Sequence, residues 1–357
     1  MKKLKLFLFF IPLISFCQEK TIFIIDSDTK KPLIGVQVLS QEGSLLSSTD
    51  NKGQFKLIVS NENFKETLII YKSGYEIIEY SLKNIPHKIE LRQKNELLEE
   101  VVIKVKVKKP KYFKIKGYVR SWQLINKKLI KYGDAMVEYL IPYKESNNDV
   151  VTGIKKYVTQ FRTFKIDSIK DKSRIISFSS YDYFFDTKIP KRDILKRNSY
   201  ENYNIKTNEN DISDIYKDDL LVGYVILKNS IPNEISIDEN PKNENIKNAL
   251  GTFTFGNKTL EKWANKGNKR FIKYFFRYNQ KGLKTKLGIK NIETVNEVFI
   301  TDFSYNSDKK PRKSKKHIDK DISYYFENFW SKEIQKHPLP SYIESQLIKV
   351  NENKNKY

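Results

Sequence analysis

The chain has 357 residues, enough for two ordinary domains, and its 66 Lys and Arg against 43 Asp and Glu give a formal charge of +23. Three histidines and a single cysteine leave little for a histidine-rich metal centre, a cysteine nucleophile or a disulfide framework. Most of the positive charge is lysine, which reads as a solvated basic surface; a nucleic-acid footprint favours arginine clustered among aromatics, so no nucleic-acid partner is expected.

Lys2, Lys3 and Lys5 precede an apolar run from Leu6 to Ile14, and Ser15 and Cys17 occupy positions −3 and −1 of a cleavage point before Gln18. Residues 1–17 thus have the pattern of a secretory signal peptide, which predicts an exported protein, periplasmic or associated with the outer membrane or cell surface. The apolar run is too short to span a bilayer and no later segment nears the required length, so no transmembrane helix is expected. Cys17 is also positioned to carry a lipid, although bulky Phe16 before it opposes that processing; a free N-terminus at Gln18 and a lipid-anchored or peripheral membrane association both stay open.

From Ile22 onward, short runs rich in Val, Ile, Phe and Tyr are broken every eight to twelve residues by Gly, Pro, Asn and Asp, which is the mark of an all-β sandwich. In Val36-Gln37-Val38-Leu39 and in Gln54–Val59 the apolar side chains alternate, predicting one buried and one wet face. Asp50-Asn51-Lys52-Gly53 suits a tight reversal before Phe55, and Gly74 lets the backbone bend ahead of Tyr75.

Asp28–Val38, then Ser48–Phe55, then Ser73-Gly74-Tyr75 together resemble the carboxypeptidase-like regulatory domain, a transthyretin-like sandwich common in exported proteins of Bacteroidetes. The resemblance implies a seven-stranded Greek-key sandwich over residues 18–93 that acts as a binding or spacer module without catalytic parts.

Residues 94–110 read as an edge strand or linker in which Ile103, Val105 and Val107 alternate with lysines. Leu98, Val101, Val102 and Ile103 also resemble the segment that follows this sandwich in TonB-dependent outer-membrane transporters, so these four form a candidate partner-binding edge by strand addition. The roughly 250 residues that remain are far too few for a 22-stranded barrel and its plug.

Residues 111–306 are again β-rich. Tyr118–Ile125, a turn at Asn126-Lys127 and Leu129–Ile141 read as a long hairpin. Ile175–Tyr183, Leu220–Lys228, Arg270–Tyr278, a turn at Asn279–Gly282, Leu283–Ile289 and Val295–Tyr305 continue an antiparallel meander, curved or half-barrel in shape. Between Tyr200 and Asp219 the polar, acidic composition predicts a surface loop. Residues 307–357 combine a basic connector, Lys309–His317, with short C-terminal helices. Phe329-Trp330 would clasp the sheet, and Ser341 would begin a helix carrying Ile343 and Leu347.

His87-Lys88-Ile89-Glu90 has the spacing of a metallocarboxypeptidase zinc pair, but residues three apart in a strand point to opposite faces, and His317 and His337 lie far away. No nucleophile elbow, phosphate loop or His-Glu-x-x-His occurs, and adjacent carboxylates such as Glu99-Glu100 or Asp218-Asp219 diverge in a strand. Catalytic residues, metal and cofactors are therefore all expected to be none. Tyr274, Phe276 and Tyr278 would form an open ligand surface if Phe275 points inward.

The expectation is a non-catalytic, exported binding, docking or spacer protein whose partner is an envelope protein, glycan or lipid. The alternative is an envelope transport component, either TonB-linked or carrying a hydrophobic ligand in the second sheet.

Overall fold

The computed structural model describes residues 18–59, 67–94, 112–142, 154–166, 184–198, 202–207, 211–242, 246–247, 252–266, 269–285, 288–304 and 335–354. Seven strands come first: β1 (Gln18–Asp26), β2 (Gln37–Ser40), β3 (Leu45–Ser48), β4 (Gln54–Val59), β5 (Thr67–Tyr71), β6 (Ile78–Ser81) and β7 (Lys88–Leu91). They form a three-stranded sheet, β4-β1-β7, and a four-stranded sheet, β3-β2-β5-β6. Between them lie Ile22, Ile24, Val36, Val38, Phe55, Leu68, Ile70, Ile89 and Leu91, recurring at every second position as a half-buried strand requires. Gly53, at φ +70°, closes the turn before β4. A Cβ at that position would sit 2.7 Å from the carbonyl oxygen of Ile24.

One expectation about this sandwich is corrected. Gln37 and Leu39 are 5 % and 1 % exposed, so β2 has no wet face. The reason lies outside the sandwich: Leu39, Ile69 and Tyr71 line the second face of the four-stranded sheet. That face is turned to a larger sheet.

The larger sheet comprises β8 (Tyr112–Ile125), β9 (Lys128–Pro142), β10 (Lys155–Lys165), β11 (Asn204–Thr207), β12 (Ile212–Lys217), β13 (Leu220–Lys228), β14 (Ile231–Asp238), β15 (Ile246–Lys247), β16 (Thr252–Lys266), β17 (Lys269–Thr285) and β18 (Gly288–Ser304). Its order is β10-β9-β8-β18-β17-β16-β14-β13-β12-β11, every neighbour antiparallel, with β15 pairing onto β16. Two up-and-down runs are thus joined where the last strand, β18, pairs with the first, β8.

Asn126 and Lys127 turn between β8 and β9 with φ of 50° and 65°, the left-handed pair of a type I′ hairpin. Lysine adopts that conformation at a cost that glycine avoids. Lys127→Gly should raise stability by about 0.5–1 kcal/mol, read as a higher calorimetric midpoint.

Two further expectations change. Asn279–Gly282 is not a turn: β17 runs through it as far as Thr285, with Asn279 opposite Asn257 and Thr294 in the ladder. The span 200–219 is not a loop, because it holds β11 and β12. The predicted strand Ile175–Tyr183, the Phe329-Trp330 clasp and the basic run Lys309–His317 lie outside the described residues.

Both faces of the large sheet are covered. On one face Tyr118, Trp122, Tyr132, Tyr274, Phe276 and Phe299 pack with Ile34 of the sandwich and with Leu339, Ile343 and Leu347 of the C-terminal segment. Helix α2 (Ser341–Lys354) begins at Ser341 and buries Ile343 and Leu347 as its spacing predicts. On the other face Val119, Ala135, Phe161, Phe275 and Val298 lie beneath a strap that includes Phe185 and leads to the one-turn helix α1 (Ile194–Arg197). The strap belongs to the connection between β10 and β11, which stand at opposite ends of the strand order. Among the described residues no helix is long and apolar enough to cross a membrane.

Candidate functional site

A row of buried charged residues crosses the large sheet where the sandwich and the C-terminal segment meet it. Ladder partners across four adjacent strands are Arg162 of β10, Asp134 of β9, Arg120 of β8 and Glu297 of β18. Directly opposed residues share a face, so this row alternates cation and anion under the covering elements. Arg120, Asp134 and Glu297 are each 0 % exposed, and Arg162 is 9 %.

Arg120 is the centre of the row. Its Nε donates to Glu297 Oε2 at 2.6 Å, Nη1 donates to the carbonyl oxygens of His337 and Pro338 at 2.7 and 3.0 Å, and Nη2 donates to the Tyr71 hydroxyl at 3.3 Å. The guanidinium also lies over the rings of Tyr71, Trp122 and Phe299 at 5.9, 5.8 and 5.2 Å. One side chain therefore ties together the sandwich, both central strands and the C-terminal segment. Glu297 takes a second hydrogen bond from Tyr274 at 2.7 Å. Burial opposes the charge of Arg120, but Glu297 beside it prevails and raises its pKa above the ordinary value.

Asp134 is saturated in a similar way. Arg162 donates Nε and Nη2 to its two oxygens at 2.8 and 2.7 Å, and Tyr118 and Tyr132 each donate to Oδ2 at 3.0 Å.

A second cluster sits further along the junction. Lys72 of the sandwich donates to the Ile34 carbonyl at 2.6 Å and lies 3.6 Å from Glu234 of β14. Glu234 also pairs with Lys262 at 3.4 Å and accepts from Tyr224 at 2.9 Å. Burial pushes the Lys72 amine down to about 8, against the pull of Glu234. Burial works against the Glu234 carboxylate too, yet Lys262 and Lys72 overcome it and hold it near 2.

Gly35 makes this second contact sterically feasible. It has φ +67°, and a Cβ there would lie 2.0 Å from the Tyr224 hydroxyl and 3.3 Å from Glu234 Oε1. Gly35→Ala should cost about 2–4 kcal/mol, the left-handed strain plus the displaced Tyr224 bond. Combining it with Tyr224→Phe should shrink the penalty in chemical denaturation, since the clashing oxygen is gone. An unchanged penalty in the double variant would assign the cost to backbone strain alone.

The strap face uses polar groups to hold chain. Phe185 N donates to Ser121 Oγ at 3.1 Å, Asp186 N to Asn296 Oδ1 at 3.1 Å, and the Tyr139 hydroxyl to the Thr187 carbonyl at 2.7 Å. Arg277 pairs with Asp186 at 2.9 Å, Arg270 with Asp193 at 2.6 Å, and Arg197 with Glu261 at 2.6 Å. Glu261 accepts from Trp263 Nε1 and Ile194 N as well. Chemically, these groups can position and clamp.

The expected ligand surface is corrected. Tyr274, Phe276 and Tyr278 are 3 %, 3 % and 4 % exposed, and so is Phe275 at 3 %, because both faces of β17 are covered. The hydroxyls of Tyr274 and Tyr278 are spent on Glu297 and Glu293. Leu98, Val101, Val102 and Ile103 lie outside the described residues. His87 and Glu90 are not brought together: His87 Nδ1 faces the Thr21 carbonyl at 3.4 Å, while Glu90 pairs with Lys30 at 2.7 Å. Among the described residues no group of three or more His, Cys, Asp or Glu side chains converges to hold a metal ion.

The charged row had a visible signal in the sequence. Arg120 in Tyr-Val-Arg-Ser-Trp, Asp134 in Tyr-Gly-Asp-Ala-Met and Glu297 in Val-Asn-Glu-Val-Phe are single charges embedded in apolar strands. Such residues are buried only when paired.

No curated protein matches the sequence. A solved lipovitellin chain ("Lipid-protein interactions in lipovitellin") aligns at 10 % identity with a TM-score of 0.25. That alignment covers 58 % of this chain and 27 % of the other, so this chain spans about a quarter of that structure. Residues 23–103 match the CarboxypepD_reg-like domain. The N-terminal sandwich is thus a domain of that non-catalytic β-sandwich type, here seated on a large antiparallel sheet.

Proposed function

We propose that this is a non-catalytic, exported protein of the Bacteroidetes cell envelope that works as a docking module. In it the CarboxypepD_reg-like domain is fixed against the large sheet to present a rigid body to a partner. The observation that carries the reading is the junction itself. Tyr71 and Lys72 of the sandwich enter buried charged clusters whose acids, Glu297 and Glu234, are already bound by cations and tyrosines of the sheet. Groups held that way are suited to fixing two layers and poorly suited to exchanging protons with a substrate. The N-terminal Lys-rich and apolar pattern ending at Cys17 supports export.

Cell fractionation combined with N-terminal mass analysis tests this reading. The chain should leave the cytoplasm and begin at Gln18, or carry a lipid on Cys17. A cytoplasmic chain retaining Met1 would overturn the envelope assignment. Turnover of ester, peptide or phosphate substrates that follows the chain through purification, and disappears on substitution of a single residue, would overturn the non-catalytic one.

A further inference from the structure

The C-terminal segment, residues 335–354, seats in a groove with the central strands β8 and β18 as its floor and the sandwich as its wall. Leu339, Ile343 and Leu347 pack there with Tyr118, Trp122 and Phe299. Ile343 is 0 % exposed and lies against the β2–β3 turn, where a Cβ on Gly43 would stand 2.8 Å from its Cδ1. The polar hold falls on main-chain oxygens. Lys94 Nζ donates to the Gln335 carbonyl at 2.8 Å, and Arg120 donates to those of His337 and Pro338.

Two facts make this occupant separable from its own copy. Within residues 341–349 only Ile343 and Leu347 are buried, so few apolar side chains offset the entropy of ordering the helix. Ser304 ends β18, and the thirty residues between it and Gln335 can span about 100 Å when extended, long enough to reach the groove of a neighbouring copy. We propose that the groove is an interface between two copies of this chain, each giving residues 335–354 to the other in a reciprocal exchange. A second copy is the occupant argued by the seat itself: the complementary contacts are already drawn, and exchange reuses them without any new surface. The inference goes beyond the docking reading and stands without it.

The closed copy and the exchanged pair make the same contacts, so their balance is set by the tether and by charge. A tether of this length holds the segment at an effective concentration on the order of 1 mM, and pairs gain on single copies as the chain concentration approaches that value. Two copies of formal charge +23 repel one another at low ionic strength. Salt screens that repulsion, so pairing should grow between about 0.05 and about 0.5 M sodium chloride. A weaker seat has its own signature. It leaves the balance unchanged and speeds the exchange, because a segment must leave one groove before it enters another.

The test refolds the purified chain at about 5 µM and at about 500 µM in about 0.5 M sodium chloride, with a reductant that excludes pairing through Cys17, and sizes it by light scattering. Single copies are expected from the dilute sample, and at least a fivefold larger share of pairs from the concentrated one. Pairs that are then diluted should revert to single copies, at least tenfold faster in Leu347→Ala. Ile343→Asp/Leu347→Asp, whose segment no longer seats, should form no pairs. A fluorescein-labelled peptide of residues 335–354 should bind that double variant with a Kd of about 10–100 µM, and the native chain at least tenfold more weakly. Circular dichroism verifies the fold of both variants, and Leu347→Ala carries the test alone if the double variant does not fold. Single copies only at about 500 µM overturn the proposal. So do pairs that persist in the double variant, an unchanged reversion rate in Leu347→Ala, or a peptide that misses the double variant or binds it and the native chain alike. None of these readouts depends on export, so the exchange and the envelope assignment fail separately.

Discussion

Arg120→Met should lower the free energy of unfolding by about 3–5 kcal/mol, and the double variant Arg120→Met/Glu297→Met should recover most of that loss. The single variant strands Glu297, 0 % exposed, with no cation beside it and only tyrosine hydroxyls, those of Tyr274 and Tyr71, for company. It also leaves the carbonyls of His337 and Pro338 and the Tyr71 hydroxyl without the guanidinium. Removing both charges takes away the desolvation cost together with the attraction, and methionine fills roughly the same volume among Tyr71, Trp122 and Phe299. Guanidinium denaturation followed at two wavelengths gives the comparison. A loss below about 1 kcal/mol in the single variant would mean that water reaches the pair and that the row is not an anchor. Coincident transitions for sandwich and sheet are expected in the native chain, and separation of the two in Arg120→Met.

Acid should loosen the C-terminal segment through His337. The His337 ring stacks on Phe299 at 4.0 Å and on Tyr118 at 5.7 Å. Burial, with Arg120, Lys336 and Lys94 nearby, pushes its pKa down from 6.5 to about 3. The folded state thus favours the neutral ring. Stability from this group is complete above pH 6.5 and drains away as pH falls toward 3, by an amount on the order of 3 kcal/mol. Glu261 and Glu293, whose pKa values are raised by burial, act in the opposite sense and partly mask the trend. His337→Phe keeps the stack and removes the proton. Stability measured between pH 6.5 and 4.5 should decline less steeply in that variant, and parallel curves for the two proteins would exclude His337 as the cause.

How much of this was legible depended on whether neighbours could change the meaning of a residue. The sandwich strands could be drawn from Ile22, Val36, Phe55 and Ile70, whose period of two reports one shared interior. The hairpin around Asn126-Lys127 and the helix starting at Ser341 were legible because their signals are local. Asn279–Gly282 misled because four turn-forming residues in a row here serve a strand: Asn279 donates to Asn257 across the ladder, and Gly282 is buried opposite Asn291. Tyr274, Phe276 and Tyr278 misled because alternation predicts a wet face only when one face is covered, and the covering elements come from residues 34 and 339–347. The charged row was the hardest, since each member gains its partner only from strand order.

That order has a kinetic consequence. Arg120 and Glu297 are 177 positions apart in the chain yet opposite one another in the ladder, and among the described residues the two up-and-down runs share no other strand pairing. Each run can collapse on its own soon after it emerges. The seam between them has to wait for the last long strand, and closing so wide a loop is slow. Until then both central strands carry open edges and half-matched charges, so the molecule matures from its flanks inward and its middle is finished last.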